Sequence, residues 1–211
     1  MVLALSSALG AQVAPPPPSF VPALTVGYAY RDYGVYIKSA LSQGGYAGGS
    51  GFNAELTWPV TSRGALLLSA MATPGVATQE QYLSSFSVSA NKSMSTAFAA
   101  HYAFKLKPDV PAFFVVGAGM LRHGRQPISD VTRPLSHVSI DFGIGLDTKR
   151  DRRVGFRGQL LAHSVIPNAA IADITVNRAG QGLVSLVTAQ TQTFEWSLQL
   201  GARVRIRGDG R

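Results

Sequence analysis

The sequence has no cysteine and few charged residues for its 211 positions. Without cysteine, the chain can form neither a disulfide framework nor a thiolate zinc site. Charged residues make up 14% of the chain, against about 25% in typical soluble domains, whereas apolar residues make up 46%. The chain also lacks a run of about 18 apolar residues, which excludes a transmembrane helix. This composition favours the other fold that satisfies its backbone inside lipid, a closed β-barrel.

The formal net charge of +8 would suit a nucleic-acid-binding protein, but its distribution along the chain does not. About half of the 19 basic residues lie at or beside short polar connections and the C-terminus: Arg63, Lys105, Lys107, Lys149, Arg150, Arg152, Arg153, Arg207 and Arg211. Cations placed in this way favour a solvated rim facing phosphate headgroups. We therefore expect no nucleic-acid partner.

The stretch from residue 137 to residue 163 shows the alternation that the rest of the chain repeats. Its first run has bulky apolar residues on one parity: Val138, Ile140, Phe142, Ile144 and Leu146. The other parity holds Ser139, Asp141, Gly143, Gly145 and Asp147. After a polar connection at 148–153, the second run sets Val154, Phe156, Leu160 and Ala162 against Arg157, Gln159 and His163. A period of two predicts a β-hairpin with one apolar face. Because the opposite face carries glycine and charge, we assign it to the crowded concave side and the apolar face to lipid.

The same alternation predicts eight strands, at residues 23–31, 51–58, 65–72, 94–106, 112–121, 137–147, 154–163 and 193–206. Their connections alternate between short (59–64, 107–111, 148–153) and long (32–50, 73–93, 122–136, 164–192). This order is typical of an up-and-down barrel whose short turns all lie at one membrane surface. The outward parity of the strand cores carries no formal charge, whereas a Lys or Arg at the midplane would cost about 2–4 kcal/mol. The predicted fold is all-β: an eight-stranded antiparallel up-and-down transmembrane β-barrel.

The barrel is predicted to span residues 23–206, with a polar tail at 207–211. Residues 1–22 are expected to be a signal-like segment, in which Ala8-Leu9-Gly10 fits a small-x-small cleavage site, followed by a proline-rich spacer. With an even strand number, both ends of the barrel lie at the short-turn side, the periplasm.

Aromatic residues on the outward parity sort into two groups. Near the short turns lie Trp58, Tyr102, Phe104, Phe114 and Phe156, and near the long loops lie Tyr28, Tyr30, Phe52 and Trp196. Two aromatic girdles are the pattern expected of a membrane barrel.

A barrel of eight strands has room inside for side chains and little more. We expect a structural ion cluster in this lumen, formed by Glu55, Asp141, Arg157, Glu195 and Arg203. Glu55, Arg157 and Arg203 should lie at similar depth, where pairing would offset the cost of burying their charges. The interpretation as a polar plug is favoured over a proton or ion path.

The histidines offer no metal site, and no cofactor is expected. His123 and His137 flank one long loop and could meet at its base, as a surface pair. Gly143 and Gly145 lack the third glycine and the helix of a nucleotide-binding loop.

The runs 113–121 (FFVVGAGML), 142–147 (FGIGLD), 154–160 (VGFRGQL) and 193–206 resemble the small outer-membrane β-barrels related to the OmpA/OmpX-type transmembrane domain. This resemblance implies a protein of the bacterial outer membrane, in contact with the lipid bilayer and lipopolysaccharide and inserted by the barrel-assembly machinery. We expect a monomeric, non-enzymatic barrel whose long loops, outside the cell, serve surface interaction or envelope integrity.

Three alternatives stay open. One is a narrow pore for small solutes or ions. The second is a lipid A-modifying enzyme, because His163-Ser164 and Asn168 partly resemble the His-x-Ser-Asn stretch of deacylase barrels. Adjacent residues of a strand point to opposite faces, however, so His163 and Ser164 could not act together. The third is a soluble ligand-binding barrel, which would need its apolar residues inside.

Overall fold

The computed structural model describes residues 19–38, 42–82, 85–125, 135–148, 153–166, 173–178, 182–187, 189–190 and 192–206. Within these ranges the chain forms strands β1 (Ala23–Asp32), β2 (Val35–Lys38), β3 (Ser42–Tyr46), β4 (Gly49–Pro59), β5 (Gly64–Tyr82), β6 (Ser85–Phe104), β7 (Ala112–His123), β8 (Leu135–Asp147), β9 (Val154–Ile166), β10 (Asp173–Arg178), β11 (Gly182–Val187), β12 (Ala189–Gln190) and β13 (Thr193–Arg205). No helix of these ranges is long and apolar enough to cross a membrane.

Eight of the strands close into an antiparallel barrel in the order β1, β4, β5, β6, β7, β8, β9, β13. The last strand returns to the first, with a continuous register from Ala23↔Arg205 to Asp32↔Trp196. All barrel neighbours are also neighbours along the chain, apart from that closing pair and the small strands within the loops. The predicted fold class is therefore confirmed.

The prediction of a long loop at 73–93 is wrong, because β5 and β6 continue through most of this segment as a paired hairpin. The sequence Thr73-Pro74-Gly75 looks like the end of a strand. Gly75 instead adopts a positive φ of 72°, and the register shifts between Thr73 and Val76. Glycine tolerates this backbone conformation without a steric penalty, so the chain forms a bulge and the strand goes on.

The first and last long connections also contain strands. In the first, β3 pairs with β5 and β2 pairs with β3. In the last, β10 and β11 form a separate hairpin and β12 pairs with β2. One side of the barrel therefore rises well beyond the other at the long-loop end.

The alternation of faces follows the prediction. Phe142, Leu198 and Trp196 lie on the outer surface, whereas Arg157 and Arg203 are 3% and 4% exposed and point inward. Phe52, Phe156 and Phe194 leave 71%, 70% and 68% of their surface uncovered. A continuous outer belt of this kind would be unstable in water and needs acyl chains around it.

The short-turn mouth is filled by the segment that precedes β1. Phe20 is buried at 1% exposure and meets the ring of Phe113 edge-on, with 5.6 Å between centroids. A Cβ on Gly145 would overlap Phe113, so glycine leaves the space for this ring. An apolar layer surrounds the pair: Ala65, Leu67, Ala103, Val115 and Leu161. Ser19–Pro22 therefore packs into the mouth of the barrel, where the sequence suggested a spacer, while residues 1–18 and 207–211 lie outside the described part.

We predict that Ile140→Arg on the outer face of β8 lowers the free energy of unfolding in lipid vesicles by about 2–4 kcal/mol, because a guanidinium would enter the hydrocarbon near the middle of the strand. The matched control Ser136→Arg, near the end of the same strand, should cost about 1 kcal/mol or less. Urea titration of both refolded variants measures the difference, and equal costs would contradict the lipid-facing assignment.

Candidate functional site

Inward side chains from all eight barrel strands fill the lumen in successive layers. Above the apolar layer at Phe20, the layers are an ion group at Arg157, a hydrogen-bonded group at Asp141, an ion pair at Arg31, and an aromatic cap at Tyr46.

The lowest polar layer is centred on the buried guanidinium of Arg157. It donates to both oxygens of Asp147, from Nε at 2.8 Å and from Nη2 at 2.7 Å, and its Nη1 donates to Thr57 Oγ1 at 2.6 Å and to Glu55. Arg203 lies 3.2 Å from Asp147. Two guanidiniums thus face two carboxylates, and the layer carries no net formal charge. Bidentate geometry with further hydrogen bonds is what makes a buried ion group tolerable.

The middle layer is a chain of hydrogen bonds around Asp141. One carboxylate oxygen lies 2.8 Å from His163 Nδ1, and the other lies 2.9 Å from His101 Nε2. His163 Nε2 in turn lies 2.8 Å from Ser197 Oγ. An ionised Asp141 would accept from both imidazole nitrogens that face it, and the Nε2 of a neutral His163 would then accept from Ser197.

This Asp141–His163–Ser197 chain has the connectivity by which serine hydrolases activate a nucleophile. Its surroundings do not match that chemistry. Ser197 is fully buried, and the neighbouring cavity, lined in part by His101, Asp141 and His163, has a volume of about 20 Å³. A single water needs about 10–15 Å³. The cavity therefore has room for water but not for an acyl substrate.

Above this layer, Arg31 Nε donates to Glu195 Oε2 at 2.8 Å, and both side chains are buried. The guanidinium carbon of Arg31 lies 5.8 Å from the ring centre of Tyr33. The pair thus joins the polar layers to the aromatic cap.

The cap closes the long-loop end of the lumen. Tyr46, carried by β3, stacks on His123 with centroids 3.6 Å apart, and Tyr33 meets the same imidazole edge-on at 5.1 Å. His123 Nδ1 lies 2.6 Å from Ser95 Oγ, and the Tyr46 hydroxyl donates to the carbonyl of Arg125 at 2.6 Å. Burial raises the pKa of the Tyr46 phenol, so the hydroxyl stays protonated and can act as this donor.

The five residues predicted as one ion cluster are divided among three layers. Glu55 contacts Arg157 directly, and Arg203 joins them through Asp147. Asp141 lies with the histidines, and Glu195 pairs with Arg31. The physical reason is depth, because positions far apart along a tilted strand lie at different heights in the lumen.

Several lumen contacts were not predicted from the sequence. Asp147 and Arg31 lie on the inward parity that the alternation indicates but were not included in the ion cluster, although completing its charge balance could have added them. Tyr33 and Tyr46 lie in a long connection with no alternation to place them. The expected surface pair of His123 and His137 is wrong, since both imidazoles are buried, with ring centres 6.4 Å apart.

All nine aromatic residues predicted for the girdles lie on the outer surface, half-exposed or exposed: Tyr28, Tyr30, Phe52, Trp58, Tyr102, Phe104, Phe114, Phe156 and Trp196. Some pack against each other, as Phe104 does on Phe114 at 5.4 Å and Tyr30 on Trp196 at 5.4 Å. Trp196 Nε1 donates to Asp32 at 3.0 Å. Their role as interfacial girdles stays a prediction.

The residues behind the deacylase alternative point apart. His163 is buried in the lumen, whereas Ser164 lies on the outer parity and accepts from Gln192 Nε2 at 3.1 Å. Asn168 lies outside the described residues.

No protein-family model matches the sequence, and no curated protein matches it. The barrel is similar to the crystal structure of the outer membrane protein OprG from Pseudomonas aeruginosa, with a TM-score of 0.64 and 10% identity over 91% of this chain and 99% of that one. It is also similar to the solid-state NMR structure of the outer membrane protein AlkL in DMPC lipid bilayers, with a TM-score of 0.51 and 12% identity over 92% of this chain and 94% of that one. At such identities the likeness shows the fold, which is that of small outer-membrane β-barrels.

We predict that Arg157→Met lowers the free energy of unfolding by about 3–5 kcal/mol, because it leaves Glu55 and Asp147 buried with reduced compensation. Adding Glu55→Gln should recover part of that loss, since it removes the carboxylate left without Arg157 while Asp147 keeps its ion pair with Arg203. Urea unfolding of the refolded barrel measures both, with Arg122→Met at an exposed position as the control. A loss no larger than in the control would show that the ion group does not hold the barrel together.

Proposed function

We propose that this chain is an integral protein of the bacterial outer membrane whose barrel is a closed anchor. Its function, in this proposal, lies at the long-loop end, in contacts at the cell surface or in support of the envelope, rather than in conduction or catalysis. We expect it to be a monomer, surrounded by phospholipid and lipopolysaccharide after insertion by the barrel-assembly machinery.

The observation that carries this proposal is the filling of the lumen. Apolar, ionic, hydrogen-bonded and aromatic layers follow one another from Phe20 to Tyr46, and a cavity beside the Asp141 layer has a volume of about 20 Å³. A pore needs a continuous wet path through the lumen. Side chains that are buried and bonded to one another across the barrel support an occluded lumen instead.

The long-loop end offers surface for contacts. The pairing of β6 with β7 ends at Ser95↔His123, whereas its pairing with β5 continues to Tyr82↔Ser85. On this raised hairpin Phe86 and Val88 are 64% and 53% exposed. Apolar side chains exposed beyond the membrane belt are candidates for contact with another molecule.

A hydrolase is the second candidate, because the geometry of Asp141, His163 and Ser197 favours it. It would require the lumen to open far enough to admit a substrate to Ser197. A narrow pore, the remaining alternative, would likewise require the layers to part.

We predict that the chain refolds into detergent micelles with heat-modifiable mobility on gels, since closed barrels resist unfolding until heated. In planar bilayers the same preparation should give no steady unit conductance, because the layers block the path. Reproducible conductance steps from heat-modifiable protein would replace the closed anchor by the pore. Failure to refold in detergent would argue against the membrane barrel itself.

We further predict that a fluorophosphonate probe does not label the refolded barrel, because Ser197 is not accessible to it. The control is Ser197→Ala, which keeps the fold and removes the nucleophile. Labelling of the wild-type barrel that disappears in Ser197→Ala would favour the hydrolase over the closed anchor.

A further inference from the structure

The short-turn end of the barrel carries a ring of exposed cations, which we call the basic collar: Arg63, Lys107, Arg153 and Arg205. Arg63 comes from the β4–β5 turn, Lys107 from the β6–β7 turn, Arg153 from the β8–β9 connection, and Arg205 from the end of β13. Every short connection and the last strand thus contributes a cation, so the positive charge surrounds the mouth.

Backbone hydrogen bonds hold these positions. The amide of Arg205 donates to the carbonyl of Arg153 at 2.9 Å, and the amide of Lys105 donates to that of Arg63 at 3.0 Å. Arg153 and Arg205 are therefore neighbours in spite of their like charge. Neighbouring cations repel each other, and their proximity becomes favourable only when an anion lies between or beside them.

Nearby carboxylates are poor candidates for that anion. Glu55 and Asp147 are buried and already bonded to Arg157 and Arg203. Among the described residues of this end, Asp109 is the exposed acid, and no described salt bridge includes a collar residue. The collar therefore presents a net positive surface to its surroundings.

The aromatic residues predicted as a girdle indicate the depth expected for the collar. Trp58 precedes the turn that carries Arg63, Phe156 follows Arg153 by three residues, and the stacked pair Phe104 and Phe114 flanks the turn of Lys107. Aromatic side chains of this kind prefer the boundary between hydrocarbon and headgroups. Cations just beyond them lie at the level of lipid phosphates.

We propose that the basic collar binds the headgroups of anionic phospholipids and enriches them around the short-turn end of the barrel. This inference rests on the proposed membrane insertion. Each Lys or Arg at an anionic surface contributes attraction that falls off within a Debye length, so the enrichment is local and sensitive to salt.

The two tryptophans of the chain report on the two ends separately. Trp58 is 56% exposed beside the short-turn end, where its strand pairs Pro59 with Ala65. Trp196 is 43% exposed at the other end, opposite Asp32. The variants Trp196→Phe and Trp58→Phe therefore leave one reporter each, whichever way the barrel inserts into a vesicle.

The experiment measures quenching of each reporter by brominated lipid. Two sets of vesicles have the same overall mixture of phosphatidylcholine and phosphatidylglycerol, and only the identity of the brominated component differs. For Trp58 we expect brominated phosphatidylglycerol to be enriched roughly threefold to fivefold over brominated phosphatidylcholine at low salt. The preference should disappear at high salt, and Trp196 should show a much weaker one.

The matched variants separate the collar from general attraction to the bilayer. Replacing the four collar residues by Gln should abolish the preference at Trp58, whereas Lys92→Gln with Arg122→Gln, at exposed positions of the opposite end, should leave it unchanged. Heat-modifiable mobility shows that each variant is folded, and the pair Arg153→Gln with Arg205→Gln is used if the fourfold variant does not fold.

Equal quenching of Trp58 by both brominated lipids would overturn the collar proposal while leaving membrane insertion intact. If the fourfold variant then lost retention on purified peptidoglycan sacculi, the collar would be a cell-wall contact instead. An absence of quenching by either lipid would overturn the insertion on which this inference rests.

Discussion

Closure of the sheet between β1 and β13 is the constraint on which the rest of the structure depends. In hydrocarbon no water is present to satisfy a free strand edge, so each unpaired backbone group would cost several kcal/mol. Ten consecutive pairs, from Ala23↔Arg205 to Asp32↔Trp196, remove both edges at once. Closure also separates two environments. Once the sheet is closed, the parity of a residue decides whether it meets lipid or lumen.

With eight strands the lumen is narrow, and this narrowness decides how charge is held there. A lone guanidinium in such a space could not keep its hydration, and burial would be costly. Arg157 and Arg203 instead share Asp147, while Glu55 completes the balance, and Arg31 is paired separately with Glu195. Arg157 and its partners lie on the adjacent strands β8, β9 and β13 and on β4, which is separated from β9 by β1 and β13, so this group spans the lumen. Pairing across the lumen therefore fixes the cross-section of the barrel in a way that the backbone hydrogen bonds, which run only between adjacent strands, cannot.

The alternation of Val138 to Leu146 was enough to predict strands, faces and the eight-stranded barrel, because a period of two has one structural meaning in a membrane. The prediction from alternation failed in segments outside the membrane-spanning strands, where lipid no longer selects apolar residues for one face. Beyond Thr73 the alternation of β5 is lost, because the consecutive apolar residues Val76 and Ala77 are both buried, and the bulge at Gly75 resembles a turn. Tyr46 could not be assigned to the lumen for a related reason: it reaches His123 from a strand of the first long connection, and such a contact depends on tertiary packing rather than on local pattern. The position of Asp141 on the inward parity was sufficient to predict that it is buried in the lumen. It did not predict which side chains Asp141 contacts, because these depend on depth in the barrel, and depth depends on the stagger of the strands.

If the filled lumen is a closed anchor, as proposed, function depends on the two ends of the barrel, and these ends have different structures. At the short-turn end the connections are tight, their cations are exposed, and Phe20 closes the mouth with an apolar side chain. At the long-loop end β2, β3 and the extended hairpin of β5 and β6 build a raised sheet whose base is held by Tyr33, Tyr46 and His123. The contacts of this cap with the lumen side chains join the raised sheet to the barrel. In the proposed closed anchor, the packed interior would hold a surface for contact in a defined position above the membrane.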